Sequence, residues 1–149
     1  MKDRVFRVLD ANANRLGEAL RVCEDITRFV VSDKASTQRF KTLRHKARAA
    51  VKSLDGKGKI LIRSRDPIGD VGKKTIKSES ERSGVESIFR ANMKRAEESA
   101  RVLEEFSKLA HERPPRRFKD IRFELYSLEK SIIEKMQSLR HNRHRPYRK

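Results

Sequence analysis

Residues 11–29, ANANRLGEALRVCEDITRF, are nearly restated eighty residues later as residues 91–109, ANMKRAEESARVLEEFSKL. Ala, Asn, Arg, Glu, Arg, Val and Glu recur at 11/91, 12/92, 15/95, 18/98, 21/101, 22/102 and 24/104. A second echo follows each copy, FKTLR at 40–44 and FKDIR at 118–122. Each half therefore reads as a long helix followed by a shorter one. Two similar αα-hairpins predict an all-α helical bundle with approximate internal two-fold symmetry. Two copies at so long a period are too few for an open solenoid.

Apolar spacing predicts four helices. The first covers about 3–31, with Val5, Leu9, Leu16, Leu20, Cys23 and Ile26 inward, and Ser32-Asp33 interrupt it. The second covers about 36–54, with Phe40, Leu43, Ala47, Val51 and Leu54 inward, and ends at Asp55-Gly56-Lys57-Gly58. Residues 55–77 form a glycine-containing connection in which ILIRSR, 60–65, reads as a short extended piece. The third helix starts near Ser78 or Ser83 and runs to about Ala110, with Ile88, Ala96, Ser99, Leu103 and Phe106 inward; Pro114-Pro115 follow. The fourth covers about 116–139, with Phe118, Ile121, Leu125, Leu128, Ile132, Met136 and Leu139 inward. One domain over 1–139 is expected, with repeat halves at about 3–54 and 78–139 and a basic, disordered tail over 140–149.

The charge pattern bounds the partners. With 40% charged and 36% hydrophobic residues the core must be economical, which suits helices with solvated outer faces. A formal charge of +17 calls for acidic partners: nucleic acid, an anionic surface or phosphorylated small molecules. Residues 34–65 and the tail carry much of the excess. The one cysteine, Cys23, excludes an intrachain disulfide and fits a reducing compartment. There is no signal-like apolar run at the N-terminus and no membrane-length apolar stretch, so a cytoplasmic protein without membrane contact is expected.

The repeated motif places polar groups where a helix should be apolar. At about 100° per residue, Asn12 lies in the middle of the arc formed by Val8, Leu9, Leu16, Ala19, Cys23 and Ile26. Arg15 falls about 60° to one side and Glu18 about 120°. Asn92, Arg95 and Glu98 repeat the arrangement. In the fourth helix Glu129 falls within the apolar stripe, with Arg122 beside it and Arg44 at the matching place in helix two. A buried amide without a partner costs ~1–3 kcal/mol, and breaking a buried ion pair costs roughly 3–5 kcal/mol. Such groups either form a structural network, with Arg15–Glu18 and Arg95–Glu98 as i,i+3 pairs, or line a polar cavity between helices.

The connection adds RSRDPIGDVGKKT at 63–75. Gly69 and Gly72 would let backbone N–H groups approach phosphate, Arg63 and Arg65 would add charge, and Asp70 could hold Mg²⁺. An ordinary solvated loop also fits, and Pro67 rules out a Walker A loop. His45 either meets phosphate or faces water. No Cys/His set has zinc-site spacing, and Cys23 reads as a core thiol.

DANANRLGEALRVCEDITRF, LRH, RDPIGDVG, RANMKRAEESARVLEEFSKL and LYSLEK, in this order over about residues 3–133, resemble the small helical domain often fused N-terminally to thiamine phosphate synthase. That domain is regarded as an alternative hydroxymethylpyrimidine phosphate kinase, unrelated in fold to the ribokinase-like enzyme of the same step. The resemblance implies ATP- and Mg²⁺-dependent phosphorylation of 4-amino-5-hydroxymethyl-2-methylpyrimidine phosphate to the diphosphate, in thiamine biosynthesis. It also implies a functional link to a separate thiamine phosphate synthase. The basic tail from Arg140 lies outside it.

Under that reading Arg15, Arg44, Arg63, Arg65, Arg95 and Arg122 hold phosphates, helped by His45, Gly69 and Gly72. Asn12 and Asn92 read the pyrimidine edge or position phosphate. Glu18, Glu98 or Asp70 takes the acceptor proton or binds Mg²⁺, and Glu129 completes the polar lining. Asn92, Arg95, Glu98 and Asp70 are the catalytic candidates, with Asp70 and Glu98 as metal ligands. Two other classes stay open: a non-catalytic ligand-binding or assembly partner of the synthase, and a basic helical nucleic-acid-binding module. The oligomeric state is open too, a homo-oligomer included.

Overall fold

The computed structural model describes residues 2–55, 59–66, 83–110 and 116–143. Over them the chain forms α1 (Lys2–Asp25), a π-helical turn (Ile26–Val30), α2 (Lys34–Asp55), α3 (Ile60–Ser64), α4 (Val85–Ala110) and α5 (Arg117–Arg143), with no strand among the described residues. It is an all-α bundle of two αα-hairpins, α1–α2 and α4–α5, as the repeat predicts.

The first helices of the two halves, α1 and α4, make the most extensive contact; α2 flanks α1, α5 flanks α4, and α2 meets α5, while α5, at 27 residues, is not shorter than the 26-residue α4 as expected. The core follows the apolar spacing. Leu9, Leu16, Leu20 and Cys23 of α1, Phe40, Leu43 and Leu54 of α2, Phe89, Met93 and Leu103 of α4, and Phe118, Ile121, Leu125 and Leu128 of α5 are all buried. Each large apolar side chain so buried contributes about 1.5–3 kcal/mol. Phe40 and Phe89 meet edge to face across the two halves, with centroids 6.2 Å apart. Val5, Val51, Ile88 and Phe106 are only half-buried, and Leu139, expected inward, is exposed.

The helix ends have local causes. The α1 ladder widens into the π turn, and Ser32 turns the chain with a positive φ of 56°. Asp33 then caps α2: its Oδ1 accepts from the N–H groups of Ala35 (3.1 Å) and Ser36 (3.2 Å). Its Oδ2 pairs with Lys135 of α5. Those partners, Lys135 foremost, lower the Asp33 pKa to about 2.

Two expectations change. Residues 60–64 are helical rather than extended, because Asp55 Oδ1 accepts from the Leu61 N–H at 2.8 Å and Leu61 is buried. The last helix runs past Leu139 to Arg143. Residues 67–82, with Gly69, Asp70 and Gly72, and residues 144–149 of the tail lie outside the described residues. No helix among the described residues is long and apolar enough to cross a membrane.

Candidate functional site

The repeat builds the same clamp twice. Arg44 Nε donates to Glu24 Oε2 at 2.8 Å, and Arg122 Nε donates to Glu104 Oε2 at 3.2 Å. Each clamp joins the first helix of a hairpin to the second. Below it, Thr27 Oγ1 donates to the Glu24 carbonyl (2.9 Å) and Ser107 Oγ to the Glu104 carbonyl (3.0 Å). Arg21 and Arg101 brace the carboxylates from the next turn. Glu24 and Glu104 recur in the sequence, yet the site reading passed over them. Their recurrence opposite Arg44 and Arg122 was the available signal.

The two motif asparagines are satisfied locally. Asn12 Nδ2 donates to the Val8 carbonyl and Asn92 Nδ2 to the Ile88 carbonyl, both at 2.9 Å. Asn12 is buried and Asn92 half-buried. Both amides are anchored on their own helices.

The charged members of the motif do not face the core. Arg15, Glu18, Arg95 and Glu98 are all exposed. The reason is geometric: an Arg or Glu at the edge of an apolar arc has a long stem and carries its charge outward to water. Among the described residues, the Asn, Arg and Glu of the two copies do not gather around one shared polar cavity. His45 and Arg63 are exposed as well. Among the described residues no group of three or more His, Cys, Asp or Glu is gathered around a common point.

A cavity opens in the first hairpin. It has a volume of about 770 Å³ and lies between α1, α2 and α3. From α1 it is lined by Asp10, Ala13, Asn14, Gly17, Glu18, Arg21 and Val22. From α2 come Arg44, Ala47, Arg48, Val51 and Asp55, and Leu61, Ile62 and Arg65 close the end. Arg65 is fixed by two bonds to the buried Asp10, 2.7 and 2.8 Å long, and Arg7 reaches Asp66 at 3.2 Å. Hydrogen bonding to their carboxylates raises the pKa of Arg65 and of Arg44, so both stay cationic. Of the expected site residues, the structure thus brings Glu18, Arg44 and Arg65 together. Arg21, Arg48 and Gly17 join them without having been anticipated.

The second hairpin fills the matching space. Where α1 and α2 have Ala13, Gly17, Ala47 and Val51, α4 and α5 have Met93, Glu97, Leu125 and Glu129. Glu97 is buried and Glu129 half-buried. Burial first, then the neighbouring Glu129 carboxylate, raises the Glu97 pKa to about 7. Glu97 Oε1 is buried without a hydrogen-bond partner among the described residues. Burial, with Glu129 again adding to it, pushes the Cys23 thiol up to about 12, so Cys23 is a core thiol and no nucleophile.

The ThiD2 family model matches residues 7–131, which takes in both hairpins and the cavity. The chain belongs to the ThiD2 family. Its relatives include proteins named thiamine-phosphate synthase. The one from Rhodopirellula baltica is 38% identical over 136 residues, which is 91% of this chain and 36% of the relative. That of a Nostoc species is 35% identical over 142 residues, 93% and 39% of the two chains. That of a Synechocystis species is 35% identical over 130 residues, 87% and 36%. This ThiD2 chain spans little more than a third of the length of these relatives. No solved structure matches it.

Proposed function

We propose that this protein is a kinase of thiamine biosynthesis, transferring the γ-phosphoryl group of ATP to 4-amino-5-hydroxymethyl-2-methylpyrimidine phosphate. The observation that carries the reading is the arginine-lined cavity of the first hairpin, in a ThiD2 chain that matches part of proteins named thiamine-phosphate synthase. The same match supports a functional link to the synthase.

In this step an oxygen of the substrate's phosphate bonds to the γ-phosphorus of ATP as the bond from that phosphorus to the ADP oxygen breaks. The products are the pyrimidine diphosphate and ADP. A phosphate monoester has a second pKa of about 6 and is largely a dianion near neutral pH, so the acceptor needs no general base. What remains is to hold two polyanions together, which is a task of positioning and charge. Arg44 and Arg48 serve it from the α2 wall and Arg65 from one end of the cavity. Arg65 also keeps α3 docked through Asp10. Among the carboxylates lining the cavity, Asp10 is committed to Arg65 and Asp55 to the Leu61 N–H. Glu18 has no ion pair among the described residues, so it fits the one or two carboxylates Mg²⁺ takes beside nucleotide phosphates. Magnesium bound there would supply further neutralisation of phosphate charge. Arg15, Arg95 and Glu98 lie outside the cavity lining and take no part in this arrangement.

The test is to incubate purified protein with ATP, Mg²⁺ and the pyrimidine phosphate and to follow the diphosphate by mass. Stoichiometric diphosphate and ADP are expected. A folded protein that makes neither would remove the proposal.

A further inference from the structure

Gly17 sits inside the 24-residue helix α1. Glycine is the costliest helix residue after proline, so an interior glycine asks for a reason. Backbone conformation supplies none: among the described glycines only Gly84 has a positive φ. Packing supplies none either. A Cβ built on Gly17 would meet no atom of a neighbouring element within 4 Å. The open space above it is the cavity, which Gly17 helps to line. At the equivalent place in the second hairpin the chain carries the buried Glu97.

A second asymmetry concerns charge. Four arginines line the cavity. Arg21, Arg44 and Arg65 are each held by a carboxylate. Arg48 is exposed and has no ion pair among the described residues. An arginine that no carboxylate among the described residues holds is well suited to grip a phosphate in a forked, two-bond geometry.

We infer that Gly17 is the platform on which the flat ring of the substrate lies against the α1 backbone, and that Arg48 anchors its phosphate. The inference rests on the kinase reading of the cavity and adds the residues that choose the substrate. A bare helix surface admits a planar heterocycle close to the main chain. A guanidinium on the facing helix then separates the phosphorylated pyrimidine from the free alcohol.

Calorimetric titration of the full chain with the pyrimidine phosphate and with the unphosphorylated alcohol tests both parts, alongside thermal melting. Gly17→Ala is expected to raise the melting temperature by about 2–5 °C, because alanine favours the helix. The same change should weaken binding of both compounds about tenfold, since the methyl group occupies the platform. A purely structural glycine would lose stability instead. Arg48→Ala is expected to weaken the phosphate about tenfold to a hundredfold and to leave the alcohol unchanged, with Arg48→Lys in between. A Gly17→Ala protein that binds as the wild type does would overturn the platform. An Arg48→Ala protein that keeps its preference for the phosphate would overturn the anchor. Wild-type binding and turnover with unaffected variants sinks this inference alone, whereas a wild type that binds neither compound takes the kinase reading with it.

Discussion

Arg44 meets Glu24 at 2.8 Å in the first hairpin, and Arg122 meets Glu104 at 3.2 Å in the second. The two clamps are the same device, yet the helices they join enclose different things. Between α1 and α2 there is room, because Ala13, Gly17 and Ala47 are small and α3 packs across the end. Between α4 and α5 the room is taken by Met93 and Leu125, both fully buried, and by Glu97 with Glu129 beside it. One copy of the fold keeps an open cavity and the other fills the equivalent space with side chains. Duplication accounts for the symmetric clamp, and side-chain size accounts for its two outcomes.

The clamps themselves give the sharpest contrast. Glu24 is 6% exposed in its side chain and Glu104 is 16% exposed. Removing Arg44 leaves a buried carboxylate with only Arg21 at 3.8 Å to answer it. Arg44→Ala should therefore cost about 3 kcal/mol in urea denaturation. Arg122→Ala should cost about 1 kcal/mol, because Arg101 stays within 3.2 Å of Glu104. Equal costs would mean that the two clamps are energetically alike and that the asymmetry lies elsewhere.

The acid pair gives the second hairpin a pH dependence near neutrality. Glu97 has its pKa raised to about 7 on folding, from an ordinary 4.5. The folded state therefore binds the Glu97 proton more tightly than the unfolded chain does. Its contribution is fully favourable below pH 4.5 and is lost as pH rises through 7. Glu97→Gln should stabilise the protein by about 2 kcal/mol at pH 8 and flatten this part of the profile, as read by thermal melting across pH. Asp33 works in the opposite direction. Its lowered pKa contributes stability above 3.8 that is lost as pH falls through about 2. An unchanged profile in the Gln variant would show that Glu97 is ionised in the native bundle at neutral pH.

Smaller effects refine the picture. Arg65→Ala frees Asp10 and loosens α3, and should lower kcat/KM for phosphoryl transfer about tenfold, or ~1.4 kcal/mol. Arg95→Ala, exposed on the second hairpin, should change it about twofold at most. The reverse order would move the chemistry out of the cavity. Asn12→Ala and Asn92→Ala should each cost about 0.5–1 kcal/mol, and by similar amounts, because both amides bond only a carbonyl of their own helix.

How much of this was legible depended on the length scale of the signal. The hairpins were readable because Phe40, Leu43 and Leu54, or Phe118, Ile121 and Leu125, repeat at helical spacing over several turns. α3 was not, because five residues carry too little periodicity to separate a helical turn from a strand. Its cause is the single bond from the Leu61 N–H to Asp55. Arg15, Arg95 and Glu98 lie outside the cavity because a helical wheel fixes Cβ and says nothing of where a long stem carries its charge. Gly17 and Glu97 were overlooked for a related reason: attention to what the copies share hides the positions where they differ. Arg48, facing Tyr126 in the alignment of the halves, belongs to the same class.

Copying Glu97 into the first hairpin tests the central claim most directly. Gly17→Glu would fill the cavity and set a negative charge against the phosphates, with circular dichroism and melting to confirm the fold. ATP-dependent formation of the pyrimidine diphosphate, followed by mass, should fall at least a hundredfold, or ~2.7 kcal/mol. A folded Gly17→Glu protein that forms the diphosphate at the wild-type rate would show that the first-hairpin cavity is not where the reaction occurs.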